Sequence, residues 1–450
     1  MSSTGKAMHL AALFPANQSA GWRDPRSGDH SDFATFSGLA HTAERGLFDF
    51  FLLADYPRLA EHRGAISEVG TAGEFDQVTV LSALSTVTER IGLVPTVNAT
   101  FNEPFDVARR LASLDHFSDG RCGWNVVTTS NAWTGENFRR GGYLPHADRY
   151  QRAAEFVRAA RTMWRSWDAD GPTRYRHDGP QFRIGGQFTV PAGPQGCPPT
   201  IQAGDSEQGR EFAAAYADVV YSRHLGTAGH AFAADIRSRT ARQGRDPRQV
   251  KIMPGVTFAL GDTDEEARDN ARAAQELAIS PQLAICYLER TWGRALSSYD
   301  PEGPLPETAP ERAPDPSEWS GIAGAEVRST RARKWRAYAA AHGLGIRELV
   351  MKLTGGMPFV GTPSGVAQQM TDYVRSGGAD GFVLVPAYAP GGLDEFVDRV
   401  VPELQERGSF RTDYTGETLR DHLELPSPRH QSVSSCGEMS MNPCQRPDSL

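Results

Sequence analysis

Cysteine is scarce in this chain, and its five copies are scattered at positions 122, 197, 286, 436 and 444. An odd, widely spread set excludes a disulfide framework and a zinc-type spacing, so free thiols in a reducing cytosol are expected. No apolar run reaches the roughly 18–20 residues that a membrane span needs. The start, MSSTGKAMHL, has no signal-peptide apolar core. Basic tracts are missing too, and a net charge of −8 with a pI of about 5.9 argues against a nucleic-acid partner. No G-x-S-x-G elbow is present, and the Ser, His and Asp residues have no triad context. His62, His116, His224, His230 and His342 lack ligand spacing, so no metal site is expected. What remains is ample apolar content, 39% over 450 residues, enough for a large core. That length suits three small domains or one barrel with insertions.

Eight apolar runs have strand character: His9–Phe14, Phe48–Ala54, Ile91–Val97, Cys122–Thr128, Thr200–Ala203, Val219–Ser222, Lys251–Leu260 and Gly381–Pro386. Helical spacing falls near 31–46, 76–90, 104–116, 147–167, 206–217, 228–243, 264–280, 364–376 and 393–407. Runs such as FDFFLLA and GFVLV are almost wholly apolar, as parallel strands covered on both faces must be. The alternation predicts an α/β chain folded as a closed (β/α)8 TIM barrel. The competing arrangement is an open doubly wound sheet, which the lack of a GxGxxG after the first run disfavours. Two segments break the rhythm. One is the polar loop 129–146. The other spans about 281–360, with a Pro/Glu-rich piece and helical patterns at 324–342 and 345–353, and is expected to cap the site or build an oligomer contact. The barrel is expected over 1–423, and the polar tail 424–450 is expected to be disordered.

The segment 111–150 is the most informative. A helix stops at Ser118-Asp119-Gly120, a short buried-type strand follows, and a long polar loop leads to a new helix at His146. A strand that releases polar residues into a long loop is how a (β/α)8 barrel builds its active face.

This segment also carries a resemblance. GRCGWNVVTT at 120–129, then NF and HADRY, resembles the bacterial-luciferase-like flavin monooxygenases, in the branch of the nitrilotriacetate, dibenzothiophene-sulfone and pristinamycin IIA monooxygenase large subunits. AGWRDP at 20–25, ERGLFDFFLLAD at 44–55, TERIGLVPTVNATFNEPFDVARRLASLDH at 88–116, IQAGDSEQGREFAA at 201–214, VGTP at 360–363 and GADGFVLVP at 378–386 extend it in the same order. It covers roughly residues 8–422. Four departures stand out: Cys122 for the usual alanine, Asp205 for a small residue, Thr129 for serine, and Phe75-Asp76 for Glu-Pro.

The candidate site residues follow from position and resemblance together. Asp55 ends an apolar run and so falls at the barrel's upper rim; the matching family residue lies against the isoalloxazine. Its plain alternative is an N-cap. Thr96 and Thr100 follow the third strand, where hydroxyls can bond the flavin or simply serve the loop before Pro104; Thr100 is the favoured one. Asn125 is the lone polar side chain in CGWNVV, where an unsatisfied amide is costly, and it is the catalytic candidate as well as a flavin contact. His146 and Tyr150 share a face at a helix start, a natural seat for phosphate. Arg149 between them is expected to form a surface salt bridge with Glu155 or a neighbour. Ser206 is an expected N-cap, and in the family this turn meets the flavin phosphate. Asp205 beside it is expected to contribute its amide, since a carboxylate near a dianion is unfavourable. Trp22, Trp124 and Trp133 are expected to be ordinary packing, and Glu61-His62-Arg63 a solvated loop.

The resemblance implies a monooxygenase that uses FMN, reduced by a separate flavin reductase, as the large component of a two-component system. By this reading a flavin 4a-hydroperoxide formed with dioxygen oxidises a small organic substrate at a C–N, N or C–S centre. The segments around GREFAA and DEFVDRVVPELQERG look nearest to the pristinamycin branch, which points to secondary metabolism or xenobiotic breakdown. A cytoplasmic homo-oligomer is expected. The alternatives are a deazaflavin-dependent oxidoreductase on the same barrel, or a catalytically silent flavin-binding barrel.

Overall fold

The computed structural model describes residues 7–14, 24–59, 62–63, 75–129, 132–138, 146–168, 170–311, 325–354 and 356–428. Trp22, residues 312–324 of the Pro/Glu-rich piece, the tail from 429, and the side chains of Trp133 and His146 lie outside that description.

The eight barrel strands are β1 His9–Phe14, β2 Phe50–Leu53, β3 Gly92–Asn98, β4 Trp124–Val127, β5 Thr200–Gln202, β6 Val219–Ser222, β7 Lys251–Val256 and β8 Gly381–Leu384. They pair in parallel and in chain order, and β8 closes on β1 with His9 opposite Gly381. The predicted TIM barrel is therefore the fold. Alternation explains the apolar runs. Phe50 and Leu52 enter the barrel interior beside Ala11, Val94 and Ile201, whereas Phe51 and Leu53 join the outer core beneath the helices. Both faces of β2 are buried, so neither could be polar.

The helices are α1 Phe33–Arg45, α2 Gln77–Leu84, α3 Pro104–Phe117, α4 His146–Trp164, α5 Glu207–Tyr216, α6 Gly226–Arg242, α7 Asp264–Ala278, α8 Pro281–Trp292, α9 Ala325–His342, α10 Ile346–Thr354, α11 Pro363–Arg375, α12 Gly391–Arg399, α13 Val401–Glu406 and α14 Leu419–His422. Side chains bond the first free amides of several: Asp76 accepts from the Thr79 N–H at 2.8 Å, and Ser280 from Leu283 at 3.1 Å. Asp76, one of the two residues departing from Glu-Pro, thus opens α2.

Three features differ from the sequence expectations. The seventh run is two strands. Val256 ends β7, and Phe258–Leu260 pairs in parallel with Phe359–Gly361 outside the barrel. Between these two lies the insertion, where α8, α9 and α10 bury a core of their own around Ile285, Leu288, Trp292, Ile346 and Val350. A second departure is the hairpin Arg174–Asp178/Arg183–Gln187 between α4 and β5. Its outward residues are polar, and the backbone is tied to α4 through buried Glu155, which accepts from Phe182 N–H at 2.7 Å and from Gln181 at 3.1 Å. The third concerns the tail. Leu419, Leu423 and Leu425 are buried in the barrel-interior cluster, so docked chain continues past 424. These three leucines close the barrel where the interior would otherwise meet water.

Candidate functional site

At the C-terminal ends of the strands lies a cavity of about 1110 Å³. Asp55, Thr96, Asn125, Tyr150 and Asp205, from four different βα connections, all line it. Nothing local forces these residues together; the closed barrel does.

Asn125 on β4 donates from Nδ2 to the Thr96 hydroxyl on β3 at 2.9 Å, across the register pair Thr96–Asn125. Its Oδ1 is buried without a hydrogen-bond partner. On β5, the Oε1 of Gln202 is also buried without one. Two buried acceptors on one cavity wall cost stability unless a ligand donates to them. A heteroaromatic ring bearing N–H groups supplies such donors.

A cradle adjoins them. A Cβ on Gly204 would come within 2.5 Å of the Tyr150 hydroxyl and 2.2 Å of Gln202 Nε2. One on Gly209 would come within 2.8 Å of the Gly204 backbone and of that same hydroxyl. Bare backbone there lets the turn, the start of α5 and Tyr150 approach one another, as anion recognition by amides requires. Ser206 caps α5, its oxygen accepting from Gly209 N–H at 3.1 Å, and stands off the cavity wall. The carboxylate of Asp205 is held by Arg210 at 2.8 Å and His224 at 2.7 Å, so its charge is compensated before any anion arrives.

Asp55 is half-buried at the end of β2. Burial first, then the charge of Asp76, push its carboxyl up to about 6, against a hydrogen bond from Gln77. Thr129 lines the cavity with φ at +50°, a conformation costly for a β-branched residue. Arg149, 5% exposed, donates to the Thr129 carbonyl. The expected surface salt bridge with Glu155 is therefore overturned: Arg149 is turned inward onto the loop after β4, and Glu155 serves the hairpin.

Two further expectations are corrected. Thr100 is fully buried, donates to the Thr128 carbonyl at 2.8 Å and is absent from the wall; Thr96 holds the cavity position. His62, expected in a solvated loop, is 8% exposed and bonds Glu289 of α8 through Nε2. This pair fastens the loop after β2 to the insertion. Asn137 adds a second tie, donating to the Pro57 carbonyl at 2.9 Å. Cys122 lies fully buried below the cavity and is not on its wall. Trp124 is packing, as expected, against Phe156 and Trp164. His146 opens α4 one turn before Tyr150.

Sequence reasoning missed Gln202, Tyr221, Arg223 and His224, all on the wall. The signal was the one used for Asp55, a polar residue at the end of a buried strand.

The family model described as luciferase-like monooxygenase matches residues 8–380. Nitrilotriacetate monooxygenase component A of Aminobacter aminovorans is 37% identical, over 94% of this chain and 98% of its own. A pristinamycin IIA synthase chain of Streptomyces pristinaespiralis is 37% identical, over 97% and 100%. Among solved structures, a riboflavin lyase with modified FMN and riboflavin superposes with a TM-score of 0.77 at 28% identity, covering 94% of this chain and 97% of that one. With these matches spanning nearly its whole length, the chain belongs to the luciferase-like monooxygenase family.

Proposed function

We propose that this chain is the oxygenating component of a two-component system, taking FMN already reduced by a separate reductase and oxidising a small organic molecule at a C–N, N or C–S centre. The observation that carries the reading is the pair of unpartnered buried oxygens, Asn125 Oδ1 and Gln202 Oε1, beside a glycine cradle. In this reading Asn125 and Gln202 accept ring N–H groups and so orient the isoalloxazine. The Thr96 hydroxyl fixes the Asn125 amide and keeps its own proton to donate. Tyr150, the Gly204–Ser206 amides and Arg223 hold the phosphate, with His146 at the same helix start. The half-buried Asp55 takes the ring's edge. Bound reduced FMN supplies two electrons, so that one atom of dioxygen enters the product and the other leaves as water. The insertion, the loop after β2 that it fastens and the loop after β4 that is tied to that loop keep bulk water from the ring.

The protein's free thiols Cys122 and Cys197 suit a reducing cytosol, and no helix among the described residues is long and apolar enough to cross a membrane. We also propose a dimer or tetramer, which a solution mass measurement checks.

Incubation with reduced FMN, labelled dioxygen and a panel of tertiary amines, cyclic imines and sulfones tests the reading. One labelled oxygen in each oxygenated product together with one labelled water, or two labelled waters per desaturated product, is expected. Hydrogen peroxide as the sole outcome across the panel would favour a silent flavin-binding barrel. Binding of a deazaflavin in preference to FMN would favour the dehydrogenase alternative.

A further inference from the structure

We propose that the molecule oxidised is uncharged and mainly apolar where it enters the cavity, and that the wall formed by α7, α8, α10 and residues 356–358 selects it. This rests on the reduced-FMN reading above. The cavity is larger than most single-ligand sites, which run to roughly 1,000 Å³, so it has room for a cofactor and a second molecule.

Its two sides differ in chemistry. The charged lining groups Asp55, Arg58, Asp205 and Arg223, and the imidazole of His224, all sit on loops that leave barrel strands. The facing wall consists of Ala274 and Ala278 of α7, Tyr287 of α8, Leu353 of α10, Met357 and Pro358, with the amide of Gln275 and the hydroxyl of Thr354 as polar points. Among the described residues it contributes no charged side chain. This is not for want of charge in those helices. Arg268, Arg272 and Glu276 of α7 are exposed, whereas Ala274 and Ala278, four apart, share the cavity face. Lys352 of α10 is exposed beside Leu353. Arg290 of α8 lies 6.0 Å from the Tyr287 ring centre and off the wall. Glu289 is taken up by His62 and by the Leu296 amide at 2.6 Å.

Leu353 is 43% exposed, an apolar side chain left open toward the cavity. A carboxylate moved onto this wall gives up its water and meets no cation, whereas an aromatic or aliphatic body gains by burial there. The wall therefore discriminates by charge. The chain differs in this from what a polycarboxylate-handling enzyme requires, despite its 37% identity to a nitrilotriacetate monooxygenase.

The test uses the protein loaded anaerobically with reduced FMN and titrated with diphenyl sulfone, or with the same frame bearing a carboxylate on each ring. The neutral probe is expected to bind at least about tenfold more tightly. Ala278→Lys is expected to remove that preference, with FMN affinity unchanged within about twofold. Equal or tighter binding of the dicarboxylate by the unmodified protein overturns the proposal. An unchanged preference in both Ala278→Lys and Ala274→Lys also overturns it. FMN titration of the same samples separates the readings. If FMN itself does not bind, the flavin reading fails and the substrate proposal falls with it. If FMN binds and the charge preference is absent, the substrate proposal alone fails.

Discussion

The two ends of the barrel treat their carboxylates and side-chain amides in opposite ways. At the N-terminal end three aspartates stand directly before strands, and each stitches a neighbouring strand. Asp49 accepts from Leu10 N–H at 2.8 Å, Asp218 from Thr200 N–H at 2.9 Å, and Asp380 from Ile252 N–H at 2.7 Å. Basic side chains complete them: His9 and Arg411 at Asp49, Arg245 at Asp218, Arg237 at Asp380. At the C-terminal end Asn125 and Gln202 keep buried oxygens without partners, Asp55 has its carboxyl pushed up to about 6, and Thr129 holds a strained backbone. Satisfied buried groups contribute to holding the fold; unsatisfied ones cost stability and are tolerated where a ligand completes them. For these carboxylates and amides the contrast assigns stability to one rim and binding to the other, while His9 Nε2 and Arg411 Nη1 at the first rim are also buried without partners.

The largest effect is expected at the N-terminal end. Burial works to raise the pKa of fully buried Asp49, but Arg411 and then His9 outweigh it and hold the carboxyl at about 2. A depressed folded pKa contributes stability that is present above the unfolded value of 3.8 and is lost as pH falls toward 2. Asp49→Ala at neutral pH removes one partner of a buried ion pair and should cost about 3–5 kcal/mol. Urea unfolding of the apoprotein measures this. A cost below about 1 kcal/mol would mean that the rim is not held by its acids.

At the open end, Tyr150→Phe should weaken reduced FMN binding about ten- to hundredfold, since hydrogen bonds to a charged group contribute roughly 1.5–3 kcal/mol. Riboflavin, which lacks the phosphate, should bind nearly as before, and apoprotein stability should barely change. Ser206→Ala should lose about 1 kcal/mol of stability with its cap and less FMN affinity than Tyr150→Phe, because Ser206 stands off the wall. Parallel loss of FMN and riboflavin affinity in Tyr150→Phe would move the phosphate elsewhere.

The barrel was readable in the sequence because burial on both faces leaves strands such as FFLL and GFVL no polar choice. Of the insertion's helices, α9 and α10 were readable too, from spacing alone, and α8 was not. The hairpin at 174–187 was not, because strands with exposed polar faces carry no apolar signature. Of the site, Asp55 and Asn125 were visible as polar breaks in apolar runs. Which of Thr96 and Thr100 faces the cavity was not, because the choice depends on how the chain leaves β3. The burial of His62 depends on Glu289, which lies 227 residues away, and no local pattern encodes such a pair.

Asp55 sharpens the comparison through pH. Its folded pKa is raised, so its effect runs opposite to that of Asp49. Protonation is favoured in the folded state, and apoprotein stability should fall as pH rises from 3.8 through about 6. Asp55→Asn should reduce the slope in that window to the part contributed by Asp115 and stabilise the apoprotein at neutral pH by about 1 kcal/mol, less than the full shift implies because the group is only half-buried. Bound FMN should offset the same cost. Denaturation midpoints across pH 4 to 7, roughly spanning both values, test this in wild type and variant. A slope in Asp55→Asn as steep as in wild type would trace it to another group; buried Asp115, also pushed to about 6 by desolvation, is the control.

The smallest and most discriminating pair is Thr96→Val against Thr100→Val. Each removes one hydroxyl that bonds inside the fold: Thr96 accepts from Asn125, and Thr100 donates to the Thr128 carbonyl. Each should therefore cost a similar amount of stability, about 0.5–1.5 kcal/mol. Their effects on FMN should diverge. Without the Thr96 hydroxyl, the Asn125 amide loses the bond that fixes which of its ends meets the ring, so affinity should fall about tenfold. Thr100 lies off the wall, and its loss should change FMN affinity by no more than about twofold. Calorimetric titration of both variants at one temperature makes the comparison directly. Equal loss of affinity in the two would mean that the strand ends act as one packed unit. In that case Thr96 and Asn125 would have no separate role in orienting the ring.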